Sequence, residues 1–117
     1  MRDYTKTRQR YLRDPVPVRL GGLAANLARV KSFSAHMEND TLVNSLLDES
    51  KHFIEWTAAE AEVDVAAELV DLQLQLVRWQ RTWTNIWPDP VKRQEVADTA
   101  KRWSDRVLEM SGLLDAD

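Results

Sequence analysis

Two histidines and a scatter of carboxylates are the residues whose types could do chemistry in this chain. His52 closes the run Glu49-Ser50-Lys51-His52, and Glu-x-x-His spacing places both side chains on one face of a helix. Di-metal carboxylate bundles use that motif twice, with further glutamates from two other helices. Here it occurs once, because Phe33 stands three residues before His36. No metal site is assigned, and His52 is expected at the edge of an apolar face carried by Phe53 and Ile54. Glu60, Glu62, Asp64, Glu68 and Asp71 have the chemistry of general acids or bases. A catalytic carboxylate needs a cleft and a shifted pKa, whereas these fall mainly between apolar stripes, where solvated charge belongs. The serines lack a nucleophile elbow or a histidine base, and Gly21-Gly22 lacks the spacing and the lysine of a phosphate loop. The chain contains no cysteine, which excludes thiolate nucleophiles, zinc–thiolate sites and disulfides. The reading is non-enzymatic, with no cofactor.

Five tryptophans are present, and Trp79, Trp83 and Trp87 follow one another at steps of four. Such a row could stack flat ligands or bases. Arg78 and Arg81 fall on the other side of the same helix at ~100° per residue, away from the rings. A base platform needs its cations beside them, and the net charge of −3 also counts against nucleic acid. The row instead continues an apolar stripe, as a core or an interface would.

That stripe belongs to a helix expected over about 57–87. Val65, Leu69, Leu72, Leu76, Trp79, Trp83 and Ile86 recur at steps of four and three. Val63, Ala67, Val70, Leu74 and Val77 keep the same rhythm, which averages 3.5 residues and holds each set on one stripe. The two stripes lie about 160° apart. A surface helix needs one apolar stripe, so this one is expected to be covered on both sides, as the centre of its domain or as a contact between copies. Thr57-Ala58-Ala59-Glu60 fits a capping box at its start, and Pro88-Asp89-Pro90 ends it.

Around it the pattern predicts three more helices. The first spans about 20–36 with Leu20, Leu23, Leu27 and Val30 inward. The second spans about 41–56 with Val43, Leu46, Leu47, Phe53 and Ile54 inward. The fourth is capped by Asp89, takes Pro90 at its first position and ends at Gly112. Short connections make neighbours antiparallel. The expected fold is all-α: a four-helix up-down antiparallel bundle over 20–117, with a long central third helix and an extended N-terminal arm over 1–19.

The arm carries six basic groups against two acidic ones, a balance of +4, while residues 38–71 carry ten acids against Lys51, a balance of −9. Such asymmetry can guide association. Pro15-Val16-Pro17 favours extended backbone, and Tyr4, Tyr11 and Leu12 could fasten the arm to the body. No apolar run reaches the ~18–20 residues of a membrane span, and no apolar segment follows the N-terminal charges as in a secretory signal. The cytoplasm is the expected compartment.

The run Arg19-Leu20-Gly21-Gly22-Leu23-Ala24-Ala25-Asn26-Leu27-Ala28-Arg29, with His52-Phe53-Ile54-Glu55-Trp56 and Trp79-Gln80-Arg81-Thr82-Trp83, resembles small uncharacterised all-helical proteins of cyanobacteria. The resemblance spans most of the chain. It implies a bacterial cytoplasmic setting and an accessory role, and carries no catalytic residues.

Together these features point to an interaction or structural protein that forms a homodimer or binds a protein partner, not nucleic acid or membrane. Tryptophan is enriched at interface centres, so the expected contacts are Trp79, Trp83, Ile86 and Trp87, with Arg8, Arg10 and Arg13 of the arm as a second contact. The alternative is a bundle that holds a flat hydrophobic or metal-containing ligand between helices.

Overall fold

The computed structural model describes residues 3–115; Arg2 of the basic arm and residues 116–117 of the expected bundle lie outside them. The described chain is all-helical, without a strand. Its helices are α1 (Thr5–Arg13), α2 (Val16–Phe33), α3 (Asp40–Ala58), α4 (Val63–Arg81), α5 (Trp83–Ile86) and α6 (Pro90–Ser111), with short 3-10 turns at Met37–Asn39 and Leu113–Asp115. A radius of gyration of 14.0 Å is near the ~13 Å of a compact domain of this length.

The segment expected to be extended is helical. An isolated nine-residue helix is marginal in water, so α1 depends on what it docks against. Tyr4 and Tyr11 are seven apart and share a face. The Tyr11 ring stacks on Phe53 with centroids 4.0 Å apart, and its hydroxyl donates to the Arg19 carbonyl at 2.7 Å. Tyr4 lies 4.2 Å from the His52 ring and donates to the Asp48 carboxylate at 2.8 Å. Pro15 takes the extended conformation just before α2, and Pro17 sits in its first turn, where no amide donor is required. The first long helix therefore begins four residues earlier than the sequence pattern suggests.

Burial pushes the Tyr11 hydroxyl up to about 12 from its ordinary 10.0, against the opposing hydrogen bond from Thr57. A phenol whose pKa is raised by folding contributes stability that is complete below the unfolded value and is lost as pH rises through the folded one. Urea midpoints should fall as pH rises from about 10 to about 12. Tyr11→Phe should cost about 1 kcal/mol at neutral pH and make that alkaline decline shallower; an unchanged slope would show that Tyr11 does not cause it.

The break between α3 and α4 comes later than the capping-box motif indicates. Thr57 lies inside α3, 1% exposed, and its hydroxyl donates to the Tyr11 oxygen at 3.4 Å. The chain turns through 59–62, closed by Glu60 N–H to Thr57 O and Ala61 N–H to Ala58 O. At the far end α4 stops at Arg81. The Thr82 hydroxyl bonds back to the Arg78 carbonyl at 2.9 Å, an arrangement that bends helices, and Thr82 leaves the helical region with φ −110°. The expected single helix over 57–87 is thus two, α4 and α5. The signals around α6 act as the sequence suggests: Asp89 accepts from the amides of Val91 and Lys92, and Gly112 closes the helix at φ 76°.

The central helix is α2, which packs against both α6 and α3, while α4 packs on α3. Small side chains allow α2 and α6 to lie close: Ala24, Ala97, Ala100 and Ser104 are all buried, and the Ser104 hydroxyl donates to the Ala24 carbonyl at 2.8 Å. A Cβ on Gly21 would come within 2.9 Å of Leu113. The tryptophan-bearing helix, expected at the centre, occupies a flank because α2 fills the middle with Leu20, Leu23, Leu27 and Val30. Among the described residues no helix is long and apolar enough to cross a membrane.

Candidate functional site

Both apolar stripes of α4 exist, and they meet different fates. Leu69, Leu72 and Leu76 are fully buried, and Trp79 and Trp83 are 7% and 8% exposed. On the opposite side Val63 is 84% exposed, Val70 54% and Leu74 48%; Ala67 is exposed and Val77 half-buried. The tryptophan stripe lies against the chain's own core, and the other stripe is the one left in solvent.

The row of tryptophans roofs one end of the molecule. The bend at Thr82 turns Trp83 and Trp87 toward the connection between α2 and α3. Their rings stack with centroids 4.9 Å apart. The Trp83 indole N–H donates to the Asp40 carboxylate, and that of Trp87 to the Met37 carbonyl at 2.7 Å. Arg93 lies 5.5 Å over the Trp87 ring and donates to the carbonyls of Trp87 and Ser34. Of the four expected contact residues on this row, Trp79, Trp83 and Trp87 are therefore covered within the chain, and Ile86 is half-buried. A ring already covered has little area to offer a partner.

Arg8, Arg10 and Arg13 lie on α1 with their side chains exposed. The basic group that does structural work is Arg19, at 5% exposure. Its guanidinium donates to the carbonyls of Leu12, Asp14 and Trp56 and to the Glu60 carboxylate. These carbonyls belong to the C-terminal ends of α1 and α3, where helices leave acceptors unsatisfied. The Arg19 hydrogen bond holds Glu60 below its ordinary pKa.

His52 is half-buried, stacked against Trp56 at 5.5 Å and within 3.8 Å of Asp48 and 3.3 Å of Glu55. It belongs to the aromatic seam under α1. Among the described residues no group of three or more histidines and carboxylates is placed to hold a metal ion.

The outer face of α4 is patterned in charge as well as apolarity. Asp64, Asp71 and Arg78 are exposed and step by seven, so they share the flank beside the stripe. The N-terminal end near Glu60, Glu62 and Asp64 is acidic, and the C-terminal end at Arg78 and Arg81 is basic. Glu68, farther round, is taken by α6: Arg106 donates to both its oxygens at 2.8 and 2.6 Å and holds its pKa below the ordinary value.

Protein-family models, curated proteins and solved structures were all compared with the chain, and none matches.

Proposed function

We propose that this is a non-enzymatic interaction protein that works as a homodimer, joined through the outer stripe of α4 packed against the same stripe of a second copy. The observation that carries the proposal is the exposed four-three row Val63, Ala67, Val70, Leu74, continued by half-buried Val77, on a helix whose Leu69, Leu72 and Leu76 are buried. A seam of that spacing is the geometry by which helices pair.

The sign change along the flank selects the partner and the direction. In an antiparallel pair related by a twofold axis, Asp64 of one copy faces Arg78 of the other, twice over. A parallel pair sets acid on acid and base on base. Isologous twofold contacts are also the commonest way soluble chains self-associate. A 19-residue helix is about 28 Å long, a short face for a stable interface, so dissociation in the micromolar range is expected. The up-down antiparallel arrangement of α2, α3, α4 and α6 belongs to the same reading, supported by their short connections. So does the cytoplasmic bacterial setting that the cyanobacterial resemblance implies.

The test is a set of surface substitutions read by sedimentation equilibrium. Leu74→Asp should raise the dimer dissociation constant at least about tenfold, a change of about 1.4 kcal/mol, and leave the monomer's melting curve intact. Asp64→Arg and Arg78→Asp should each weaken the dimer, and the double reversal should restore it. Asp71, nearest the axis, faces its own copy, so Asp71→Asn should tighten the pair. Failure of the double reversal to restore association would overturn the antiparallel pairing.

A further inference from the structure

A cleft of about 470 Å³ opens between α4, α5 and α6. It exists because α4 and α6 do not close on one another: Arg106 and Glu68 bridge them toward one end, and α5 crosses after the bend at Thr82. Its size falls within the ~300–1,000 Å³ range of small-molecule sites. Half-buried Ile86 and the edge of Trp79 supply apolar wall over the buried Val96, and Lys92, Glu95 and Asn85 stand at the rim.

Thr82 and Thr99 of the lining are hydrogen-bonded within the chain, but three other polar groups here are unpaired, and they complement one another. The Trp79 indole N–H donates to nothing among the described residues, unlike those of Trp83 and Trp87, and its nitrogen stays open to solvent although the residue as a whole is only 7% exposed. Lys92 and Glu95 are neighbours on one helix face at i, i+3. Neither has an ion-pair partner among the described residues. The cleft thus presents a cation and a donor for an anion, an acidic acceptor for a cation, and an apolar wall.

We infer that this cleft binds a free α-amino acid with an apolar side chain. Its carboxylate meets Lys92 and the Trp79 N–H, its ammonium meets Glu95, and its side chain lies against half-buried Ile86 and the open edge of Trp79. A group carrying only one charge leaves either Lys92 or Glu95 unanswered. This site is on a different side of α4 from the dimer stripe and does not depend on it.

The measurement is the shift of the indole N–H resonances in ¹⁵N-correlated NMR spectra, with the Trp79 signal identified by its loss in Trp79→Phe. Titration with L-leucine or L-phenylalanine should move that resonance saturably below about 10 mM, with Trp83 and Trp87 unmoved. Lys92→Gln and Glu95→Gln should each weaken binding at least about fivefold while melting curves stay unchanged. The amine and the carboxylic acid that each carry the same side chain should bind at least about tenfold more weakly. No saturable movement with either amino acid, or equal binding of the acid alone, would overturn the inference.

Discussion

Replacing Trp83 by alanine should lower the unfolding free energy by about 3–5 kcal/mol, the range for deleting a large buried aromatic. The ring is 8% exposed, stacks on Trp87 and anchors its N–H on Asp40. Truncation leaves a cavity at the end of the core and removes the donor from that carboxylate. Domains of this size have total stabilities of only about 5–15 kcal/mol, so the variant should melt well below the parent chain. Trp83→Phe, which keeps most of the apolar area, should cost less than half as much. Urea midpoints at constant m-value provide the check. A loss under about 1 kcal/mol for Trp83→Ala would mean that the row is an open platform after all.

The second large effect is expected at Arg19. Arg19→Met keeps much of the buried stem and deletes the guanidinium, which should destabilise the chain by about 2–4 kcal/mol. The loss arises because acceptors of Leu12, Asp14 and Trp56 are left without their donor. Most of it should fall on α1, whose C-terminal end that group closes, so amide exchange over Thr5–Arg13 should rise more than over α2. Arg19→Lys should recover little, because an ammonium cannot present the planar fork that reaches several carbonyls at once. Full recovery by lysine would reduce Arg19 to a simple charge opposite Glu60.

These two residues show where local pattern carries information and where it does not. Asp89-Pro90 and Gly112 mark the ends of α6 because capping and left-handed closure are decided within a few residues. Thr57 and Glu60 carry an equally good local signature, yet Thr57 is used to pack against Tyr11 and Glu60 to answer Arg19. Distant partners chose the boundary there. The helix α1 leaves no stripe in the sequence because Tyr11 is its one buried residue, with half-buried Tyr4 at its N-cap and arginines between them. Both stripes of α4 were visible as periodicity, but periodicity cannot say which of two apolar sides the rest of the chain will cover. That choice placed the tryptophans inside and moved the candidate contact to Val63, Val70 and Leu74. The bend at Thr82 had a signal, a threonine able to bond back to Arg78, although a threonine alone seldom breaks a helix. The cleft had no signal in the sequence, because it depends on two helices that meet at Arg106 and Glu68 and stay apart beside α5.

Self-association is tested most directly by light scattering on a sizing column, with the chain loaded near 200 μM, about a hundredfold above a low-micromolar dissociation constant, and then diluted. A homodimer joined through α4 should give twice the 13.5 kDa of one chain at the highest load and fall toward the single-chain mass on dilution, and Leu74→Asp should fall to that mass at loads about tenfold higher than the parent chain does. A parent chain that stays at 13.5 kDa at every concentration would contradict the homodimer and leave the outer stripe of α4 without the partner assigned to it.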